Sequence, residues 1–385
     1  MQLIAVFGII CISIKEEQMP CVFALSAYCD VPSSGKFGQR RFQMRILVGM
    51  SGGLDSTYAA LKLINEGHEV VGAVAIMHEY TDCGSAREAA QALGIPLCEI
   101  DARERFCAVK ENFVSEYSSG RTPNPCVVCN PLVKFRVLAD YANEHGFDMI
   151  ATGHYAKIIT VGEGDKTRYT LERSRDAKKD QTYMLHRLPQ DILSMLRFPL
   201  GDEIKGEVRE KARAAGLKAA DQKESQEICF IPDGDYASYI EEVKGVFPEG
   251  KFLHQDGTVL GTHKGIIRYT VGQRKGLGIA YGERIFVSKI DAEKNEIILS
   301  PEGSYTDSVA VRDIVFTGIS EPECGTEMRV EVKLRYLARP VGAVAVFDGE
   351  GGAVLTLDLP ERAVTPGQSA VMYSGDILMC GGFIV

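Results

Sequence analysis

The feature that most constrains the fold of this chain is a glycine-rich junction between a short apolar run and an amphipathic segment. The run Ile46-Leu47-Val48 is typical of a buried strand, and Leu54–Glu66 has apolar residues at helical spacing up to the stop at Gly67. A junction of this kind turns tightly and brings backbone N–H groups to the positive end of a helix. The sequence therefore predicts an anion site, formed by Gly49, Met50, Ser51, Gly52, Gly53, Leu54, Asp55 and Ser56.

The chemistry predicted for this loop depends on Asp55. A carboxylate beside phosphate groups is expected mainly where it holds Mg²⁺. The loop has neither the Gly-Lys-Ser/Thr of a Walker loop nor the GxGxxG of a dinucleotide fingerprint. The alternative is a glycine turn with an Asp/Ser helix cap, but the position at the first strand-to-helix junction favours a nucleotide site.

Segments typical of strands and helices alternate from Met44 to about Pro199. This alternation predicts an α/β fold with a doubly wound parallel sheet, which binds ligands beyond the carboxyl ends of its strands. From about Gly250 onward the chain has short strand-like runs broken by glycine turns, which predict a small central domain and a C-terminal β-barrel. The predicted boundaries are 1–43 for an extension, 44–233 for the catalytic domain, 234–303 for the central domain and 304–385 for the barrel.

Two segments contain cysteines in chemically suggestive positions. Prolines precede Cys126 and Cys129 in GRTPNPCVVCN, and the helix predicted to follow would lower the pKa of a nearby thiol. On its own this CxxC is compatible with a redox disulfide or with half of a zinc site, although no second CxxC completes that site. Cys229, between Ile228 and Phe230, is on its own more typical of a buried core cysteine.

Six segments, taken together and in chain order, resemble one family. They are SGGLDS, GRTPNPCVVCN, ATGHY, KDQTY, SQEICFIPDGDY and YTVGQRKGLG. SGGLDS alone matches the phosphate loop (PP-loop) of the ATP pyrophosphatases. The whole set resembles the tRNA 2-thiouridylases, which place sulfur on the wobble uridine of tRNA. The resemblance extends from about Met44 to the C-terminus, and residues 1–43 have no counterpart in it.

The resemblance implies roles for the nucleotide and sulfur groups. The loop Gly49–Ser56 would bind ATP together with Mg²⁺, and Met77 and Gly153 would lie near the nucleotide. Cys129 matches the nucleophile of the family. Cys229 matches the cysteine that receives a persulfide, and these two cysteines would form a transient disulfide.

The resemblance also implies how the substrate is recognised. The loop that faces the target base would consist of Asn124, Pro125 and Cys126. Contacts with the anticodon loop of tRNA would come from His154, Lys179, Asp180, Gln181, Arg335, Tyr336 and Gln368. The partner that delivers sulfur would be a persulfide-carrying relay protein or a cysteine desulfurase, and no membrane is involved.

One residue departs from the family pattern. Many members have Asp where this chain has Cys126, and that Asp is thought to assist proton transfer. A thiol could serve as the acid or base instead, with an ordinary pKa of about 8.5. Alternatively, Cys126, Cys129 and Cys229 would hold an iron–sulfur cluster with one open iron.

The chemistry of uridine thiolation fits these parts. The C2 oxygen of uracil is a poor leaving group, and transfer of AMP onto it makes it a good one. A persulfide on Cys229 then supplies sulfur, while Cys129 resolves the persulfide as a disulfide. The two Cα atoms must come within about 4.4–6.8 Å at that stage. The target base must also leave the anticodon stack, as in other base-modifying enzymes.

Composition bounds the compartment and the kind of nucleic-acid contact. The 43 Lys+Arg against 52 Asp+Glu give a net charge of −9, which counts weakly against binding through bulk charge. Recognition of one tRNA loop needs only local basic groups, such as Lys134, Arg274, Lys275 and Arg335. The 11 cysteines are too few and too irregular for a disulfide scaffold, which favours a reducing cytoplasm. No apolar run reaches the roughly 18 residues of a membrane span.

Residues 1–43 are interpreted as a non-functional extension. An apolar stretch follows Met1, but no basic region precedes it, so a signal peptide is a poor match. A transit peptide is the alternative, and Glu16 and Glu17 count against it.

Two other functions fit parts of the chain. Another ATP pyrophosphatase, such as a 4-thiouridine synthetase or an amide-forming ligase, would share SGGLDS without requiring both cysteine segments. A non-catalytic thiol or metal-binding module would carry a vestigial loop and would release no pyrophosphate from ATP. Independently of the function, Lys178-Lys179-Asp180 is also compatible with a solvated turn, and GQRKGLG with a glycine-rich hairpin that exposes an Arg-Lys pair.

Overall fold

The structure is a computed structural model that describes residues 43–221 and 228–385. The predicted extension, apart from its last residue, and the run Ser225-Gln226-Glu227 of the Cys229 motif lie outside the described residues. Within the described residues, no helix is long and apolar enough to cross a membrane.

The first part of the chain contains most of the helices. Its strands are β1 (Arg45–Gly49), β2 (Glu69–Ile76), β3 (Leu97–Asp101), β4 (Met149–Thr152), β5 (Lys157–Val161), β6 (Arg168–Glu172) and β7 (Leu196–Arg197). The helices are α1 (Leu54–Asn65), α2 (Cys83–Leu93), α3 (Arg103–Ser118), α4 (Pro125–Cys129), α5 (Phe135–Glu144), α6 (Thr182–Leu185), α7 (Gln190–Ser194), α8 (Lys205–Ala214) and α9 (Tyr236–Lys244).

Five of these strands form a parallel sheet in the order β3-β2-β1-β4-β7. Alternate residues of β1 are buried on opposite faces: Ile46 and Val48 pack with residues of α1 and α2, and Leu47 packs with residues of α5. A central strand of this kind is apolar throughout because helices cover both of its faces. The predicted doubly wound sheet is confirmed.

The strand order places a ligand-binding crevice beside β1. The chain proceeds from β1 to β2 and β3 on one side and then returns to β4 on the other. Connections that leave neighbouring parallel strands in opposite directions open a crevice at the carboxyl ends of those strands. The glycine loop after β1 and the Gly153-His154 segment after β4 therefore line the same crevice.

The rest of the chain forms two smaller β structures. The first is a four-stranded sheet in the order β10-β11-β8-β9, from β8 (Gly250–His254), β9 (Val259–His263), β10 (Phe286–Asp291) and β11 (Glu296–Ser300). The second is an antiparallel barrel of β12 (Tyr305–Phe316), β13 (Glu327–Lys333), β14 (Val341–Phe347), β15 (Ala353–Arg362), β16 (Ser369–Ser374) and β17 (Ile377–Ile384).

The barrel closes because β12 pairs with both β15 and β17. In β15, Ala353, Leu355 and Leu357 are buried and alternate with exposed residues, as expected where one face of a sheet covers a core. The predicted C-terminal β-barrel is confirmed. One feature was not predicted: β5 and β6 form a hairpin that leaves the parallel sheet and joins the barrel, where Glu172 pairs with Ile377.

Candidate active site

The glycine loop is held in place by a hydrogen bond to β2 and by hydrogen bonds within the loop itself. Met50 N–H donates to Ala73 O at 2.7 Å, and Ser51 N–H donates to Ser56 Oγ at 3.1 Å. Gly52 has φ +76°, and a Cβ there would lie 2.3–2.5 Å from Ser85 atoms. Only glycine can therefore occupy this position without displacing α2. These contacts fix the conformation of the loop up to the start of α1.

The segment after β4 presses against the same loop. A Cβ on Gly153 would lie 2.5 Å from Asp55 C and 2.6 Å from Ser56 N. The absence of a side chain thus allows the two strand ends to meet. Together they border a cavity of about 520 Å³, a size typical of small-ligand sites.

The cavity brings together several residues predicted to act on the nucleotide. Its wall includes Gly49, Met50, Ser51, Asp55, Ser56, Met77 and Gly153. Lys134 and Cys229 also line it, so a cation and one of the predicted sulfur-carrying thiols face the same space. Among the described residues of the predicted loop, Gly52, Gly53 and Leu54 support the turn and do not line the cavity.

Asp55 does not have the surroundings predicted for a magnesium ligand. Lys205 Nζ donates to both of its carboxylate oxygens, at 2.6 and 2.5 Å, and the Tyr155 hydroxyl donates to Oδ1 at 2.9 Å. In the described part of the chain, no group of three or more His, Cys, Asp or Glu side chains could hold a metal ion. Because an ammonium and a hydroxyl already donate to the oxygens of Asp55, the residues around this carboxylate do not fit a magnesium ion bound directly to it.

The cysteine pair lies on a short helix that begins with a cap. Asn124 Oδ1 accepts from Cys126 N–H at 3.2 Å, and Pro125 occupies the first turn of α4. A π-helical turn, Asn130–Lys134, then separates α4 from α5. Pro131 has no N–H to continue an α-helical register, which explains the wider turn. This turn directs Lys134 into the cavity.

Cys129 is buried, with 7% of its surface exposed. Its thiol donates to Met77 Sδ at 3.8 Å, and burial raises its pKa to about 12, although the charge of Lys134 opposes this shift. The prediction that the helix would lower the pKa of this thiol is wrong. Desolvation outweighs any helical effect because Cys129 ends α4 and is enclosed by apolar side chains.

Cys229 is exposed, so its interpretation as a core cysteine is wrong. Its neighbours Ile228 and Phe230 pack in the same apolar cluster as Val128 and Cys129. Packing thus brings the two cysteine segments together, as the predicted disulfide requires. Cys126, Cys129 and Cys229 are free thiols here, and these three are not arranged as a metal-holding group.

The target-base loop contacts the barrel. Thr122 N–H donates to Pro366 O at 2.9 Å, and Gln368 Nε2 donates to Thr122 O at 2.7 Å. A Cβ on Gly367 would lie 3.0 Å from Thr122 N. Gln368, predicted to contact tRNA, is therefore engaged with the backbone that precedes Asn124 and Pro125.

The other predicted tRNA contacts lie in different environments. His154 lines the cavity, and burial lowers its pKa to about 3. Asp180 is 6% exposed and accepts from Thr182 Oγ1, and Gln181 Oε1 accepts from Tyr155 N–H. Asp180 and Gln181 thus accept hydrogen bonds within the protein, and the roles of all three residues in tRNA binding stay predictions.

Lys179 is half-buried, beside the buried Asp180. On the barrel, Arg335 is exposed and donates to Arg362 O at 3.2 Å. The Tyr336 ring lies 6.0 Å from the ring of Tyr183. The structure thus places Arg335 outward and Tyr336 against the body of the protein, and both roles in tRNA binding stay predictions.

Sequence reasoning missed Lys205 and Tyr155. The sequence analysis does not single out Lys205, and it includes Tyr155 only as the last residue of the segment ATGHY. Both contact Asp55, from positions 150 and 100 residues away in sequence. No local pattern marks either residue as a partner of the loop.

Comparison with known families covers nearly all of the described chain. The tRNA methyl transferase HUP domain matches residues 44–233, the tRNA methyl transferase PRC-barrel domain matches 237–301, and the Aminomethyltransferase beta-barrel domain matches 306–384.

Individual relatives match over almost their full length. The tRNA-specific 2-thiouridylase of Acetivibrio thermocellus is 44% identical over 359 residues, covering 88% of this chain and 99% of the relative. That of Lachnoclostridium phytofermentans is 41% identical over 360 residues, covering 89% and 99%. A solved complex of a 4-thiouridine synthetase with RNA and bound ATP is 16% identical over 52% of this chain and 50% of that chain, with a TM-score of 0.32.

Proposed function

The chain belongs to the tRNA-specific 2-thiouridylase family, and from this premise we propose that it transfers sulfur to C2 of the wobble uridine of tRNA with consumption of ATP. The observation that carries the proposal is the single cavity whose wall contains both the phosphate loop and Cys229. Activation of the uracil oxygen and delivery of sulfur then take place in the same cavity.

The first step is adenylation of the uracil C2 oxygen. That oxygen attacks the α-phosphorus of ATP, the new O–P bond forms, and the bond to the β-phosphate oxygen breaks with release of pyrophosphate. The N–H groups at the start of α1 and the Lys134 ammonium offer positive charge to the phosphates. Gly153 permits the close approach of the β4 segment that encloses them.

The second step transfers sulfur from a Cys229 persulfide. The Cys129 thiolate attacks Sγ of Cys229, the S–S bond of the persulfide breaks, and hydrosulfide leaves with the electron pair. Hydrosulfide attacks C2, the C–O bond breaks and AMP leaves with the oxygen. The resulting Cys129–Cys229 disulfide is returned to two thiols by a thiol reductant.

The different exposure of the two thiols supports this division of roles. Cys229 is exposed, so a sulfur donor can reach it. Cys129 is buried and its pKa is raised to about 12, so it is protected from premature oxidation. The exchange therefore requires Cys129 to leave its apolar pocket. The donor is a persulfide-carrying relay protein or a cysteine desulfurase.

The anticodon loop is recognised at the junction between the α/β domain and the barrel. The loop with Asn124, Pro125 and Cys126 is fixed there by the bond from Gln368 to Thr122. The exposed Arg335 supplies a local cation on the barrel, which suits a protein whose net charge is −9. The target uridine leaves its stack to enter the cavity.

The test is nucleoside mass spectrometry of wobble uridine in tRNA incubated with the protein, ATP and a persulfide donor. We expect 2-thiouridine and equal amounts of AMP. A methylated uridine would instead support the activity in the descriptions of the matching family models, and a thiol at C4 would identify a 4-thiouridine synthetase. No modified nucleoside and no pyrophosphate would indicate a non-catalytic thiol module.

A further inference from the structure

The carboxylate of Asp55 is held by two residues that have no sequence connection with the phosphate loop. Lys205 Nζ donates to Oδ1 at 2.6 Å and to Oδ2 at 2.5 Å, and the Tyr155 hydroxyl donates to Oδ1 at 2.9 Å. The ammonium also lies 5.7 Å from the centre of the Tyr155 ring, in reach of a cation–π contact. Both carboxylate oxygens of Asp55 thus already accept hydrogen bonds from other residues of the protein.

The Lys205–Asp55 pair is anchored by residues that do not line the cavity. Lys205 is 8% exposed, whereas the Asp55 side chain is 34% exposed and lines the cavity. Lys205 is the first residue of α8, and its N–H donates to Asp176 Oδ2 at 3.0 Å. A lysine so deeply buried is rare unless it is paired with a carboxylate. The backbone bond thus fixes the start of α8, from which the ammonium reaches Asp55.

The geometry disagrees with the role predicted for Asp55 as a magnesium ligand. Magnesium requires oxygen ligands at about 2.0–2.1 Å in a nearly octahedral arrangement. An ion bound to this carboxylate would share it with an ammonium that already contacts both oxygens. Two cations at such a short distance repel each other strongly in a partly buried site.

We infer that Lys205 is a positioning residue of the phosphate loop, which neutralises Asp55 in place of a metal ion and so allows the loop to accept the phosphates of ATP. The inference rests on the proposed function, since ATP supplies the anion. A lone carboxylate at the start of α1 would repel the phosphates and oppose the attraction of the helix N-terminus. Paired with Lys205, it contributes little net charge and its orientation toward the cavity is fixed.

The test is a double-mutant cycle read out as binding of α,β-methylene-ATP by calorimetry, with Mg²⁺ and with EDTA. The variants are Lys205→Met, Asp55→Asn, the double variant and Lys205→Arg. The matched control is Lys62→Met, because Lys62 joins α1 to the segment before α8 through Glu203 at 2.6 Å without contacting the loop. Thermal melting checks that each variant is folded, and Lys205→Arg keeps the charge if Lys205→Met does not fold.

We expect Lys205→Met to weaken binding about tenfold or more, and Asp55→Asn to weaken it less than about threefold. The double variant should bind like Asp55→Asn, because removal of the carboxylate removes the repulsion. Lys205→Arg should stay near wild type, and Lys62→Met should be unchanged. The change in affinity between Mg²⁺ and EDTA should be the same in Asp55→Asn as in wild type.

Three results would overturn the inference. A double variant as weak as Lys205→Met would mean that Lys205 acts on the phosphates themselves or only on the fold. A loss of Mg²⁺ dependence in Asp55→Asn would return Asp55 to the role of metal ligand. Equal losses in Lys62→Met and Lys205→Met would indicate general damage to packing. If the wild-type protein binds no ATP analogue, the proposed function fails, and the inference fails with it before any variant is compared.

Discussion

The phosphate loop and the cysteine sites are built in opposite ways. Hydrogen bonds within the loop and to β2 fix the loop, and the charge of its one carboxylate is already paired with Lys205. The two cysteines proposed to react, Cys129 and Cys229, are brought together by the packing of their described neighbours, and one is buried while the other is exposed. We therefore expect the nucleotide site to be formed before substrate arrives, whereas the proposed sulfur transfer requires a movement of Cys129.

The largest expected effect distinguishes sulfur transfer from activation by ATP. Cys129→Ser or Cys229→Ser is expected to lower tRNA thiolation to background, about a thousandfold or more, because each thiol forms or breaks a bond to sulfur. Pyrophosphate release on the first turnover should persist, since the loop is untouched. Nucleoside mass spectrometry and a pyrophosphate assay measure the two outcomes. Full thiolation by either variant would contradict the assigned roles.

A smaller effect is expected from a substitution that crowds the phosphate loop. In Gly153→Ala the new Cβ would lie 2.5 Å from Asp55 C, so the backbone must shift. Overpacking of this kind costs about 1–3 kcal/mol, and we expect kcat/KM for ATP to fall by roughly 10–100-fold. The control is Gly206→Ala on α8, where no atom lies within 4 Å of the added Cβ apart from the chain neighbours and the backbone of the same helix. Equal kinetics for both variants would show that the loop tolerates displacement.

The burial of Cys129 predicts a pH dependence of stability. Its pKa is raised from 9.0 to about 12, so above pH 9 the folded protein keeps a proton that the unfolded chain loses. The free energy of unfolding therefore falls as the pH rises from about 9 toward 12, by up to about 1.4 kcal/mol per pH unit for this group.

Urea denaturation at pH 8 and pH 10 measures this dependence as the difference between wild type and Cys129→Ser. The difference should shrink by about 1 kcal/mol between the two pH values. Cys107→Ser, which alters an exposed thiol, is the control for the substitution itself. A constant difference for Cys129→Ser would mean that this thiol is not protected, which would weaken the contrast between the two cysteines.

The smallest effect concerns the junction between the target-base loop and the barrel. Gln368→Ala removes the bond from Nε2 to Thr122 O, which is worth about 1 kcal/mol. We expect KM for tRNA to rise by roughly fivefold while binding of ATP analogues is unchanged. Steady-state thiolation assays with varied tRNA measure the first quantity. A change in the binding of ATP analogues without a change in KM for tRNA would mean that Gln368 acts on the nucleotide site instead.

The predictions from sequence succeeded where the cause is local. Ile46-Leu47-Val48, the glycines at 49, 52 and 53 and the helix after them require no distant partner, so their order along the chain predicted the loop. The alternation of strand-like and helix-like segments predicted the doubly wound sheet, which the strand order confirms, and the family resemblance supplied the roles of the cysteines.

The failures concern contacts between distant segments. Lys205 reaches Asp55 across 150 residues, and no spacing rule links them. The pKa predicted for Cys129 was wrong because its helix position is local information, whereas its burial depends on Phe230 and the rest of a cluster drawn from both cysteine segments. The contact of β6 with β17 was missed for the same reason.

The contact of β6 with β17 also sets the order in which the protein can be completed during synthesis. Thr170 Oγ1 donates to Leu378 O across 208 residues, and Arg173 N–H donates to Asp376 O. A ribosome adding about 5–20 residues per second makes β17 roughly 10–40 s after β6. Throughout that interval the nascent chain presents the β5–β6 hairpin without its neighbouring strand. The β5–β6 hairpin, in the first part of the chain, therefore pairs with β17 only when almost the last residues of the chain have been made.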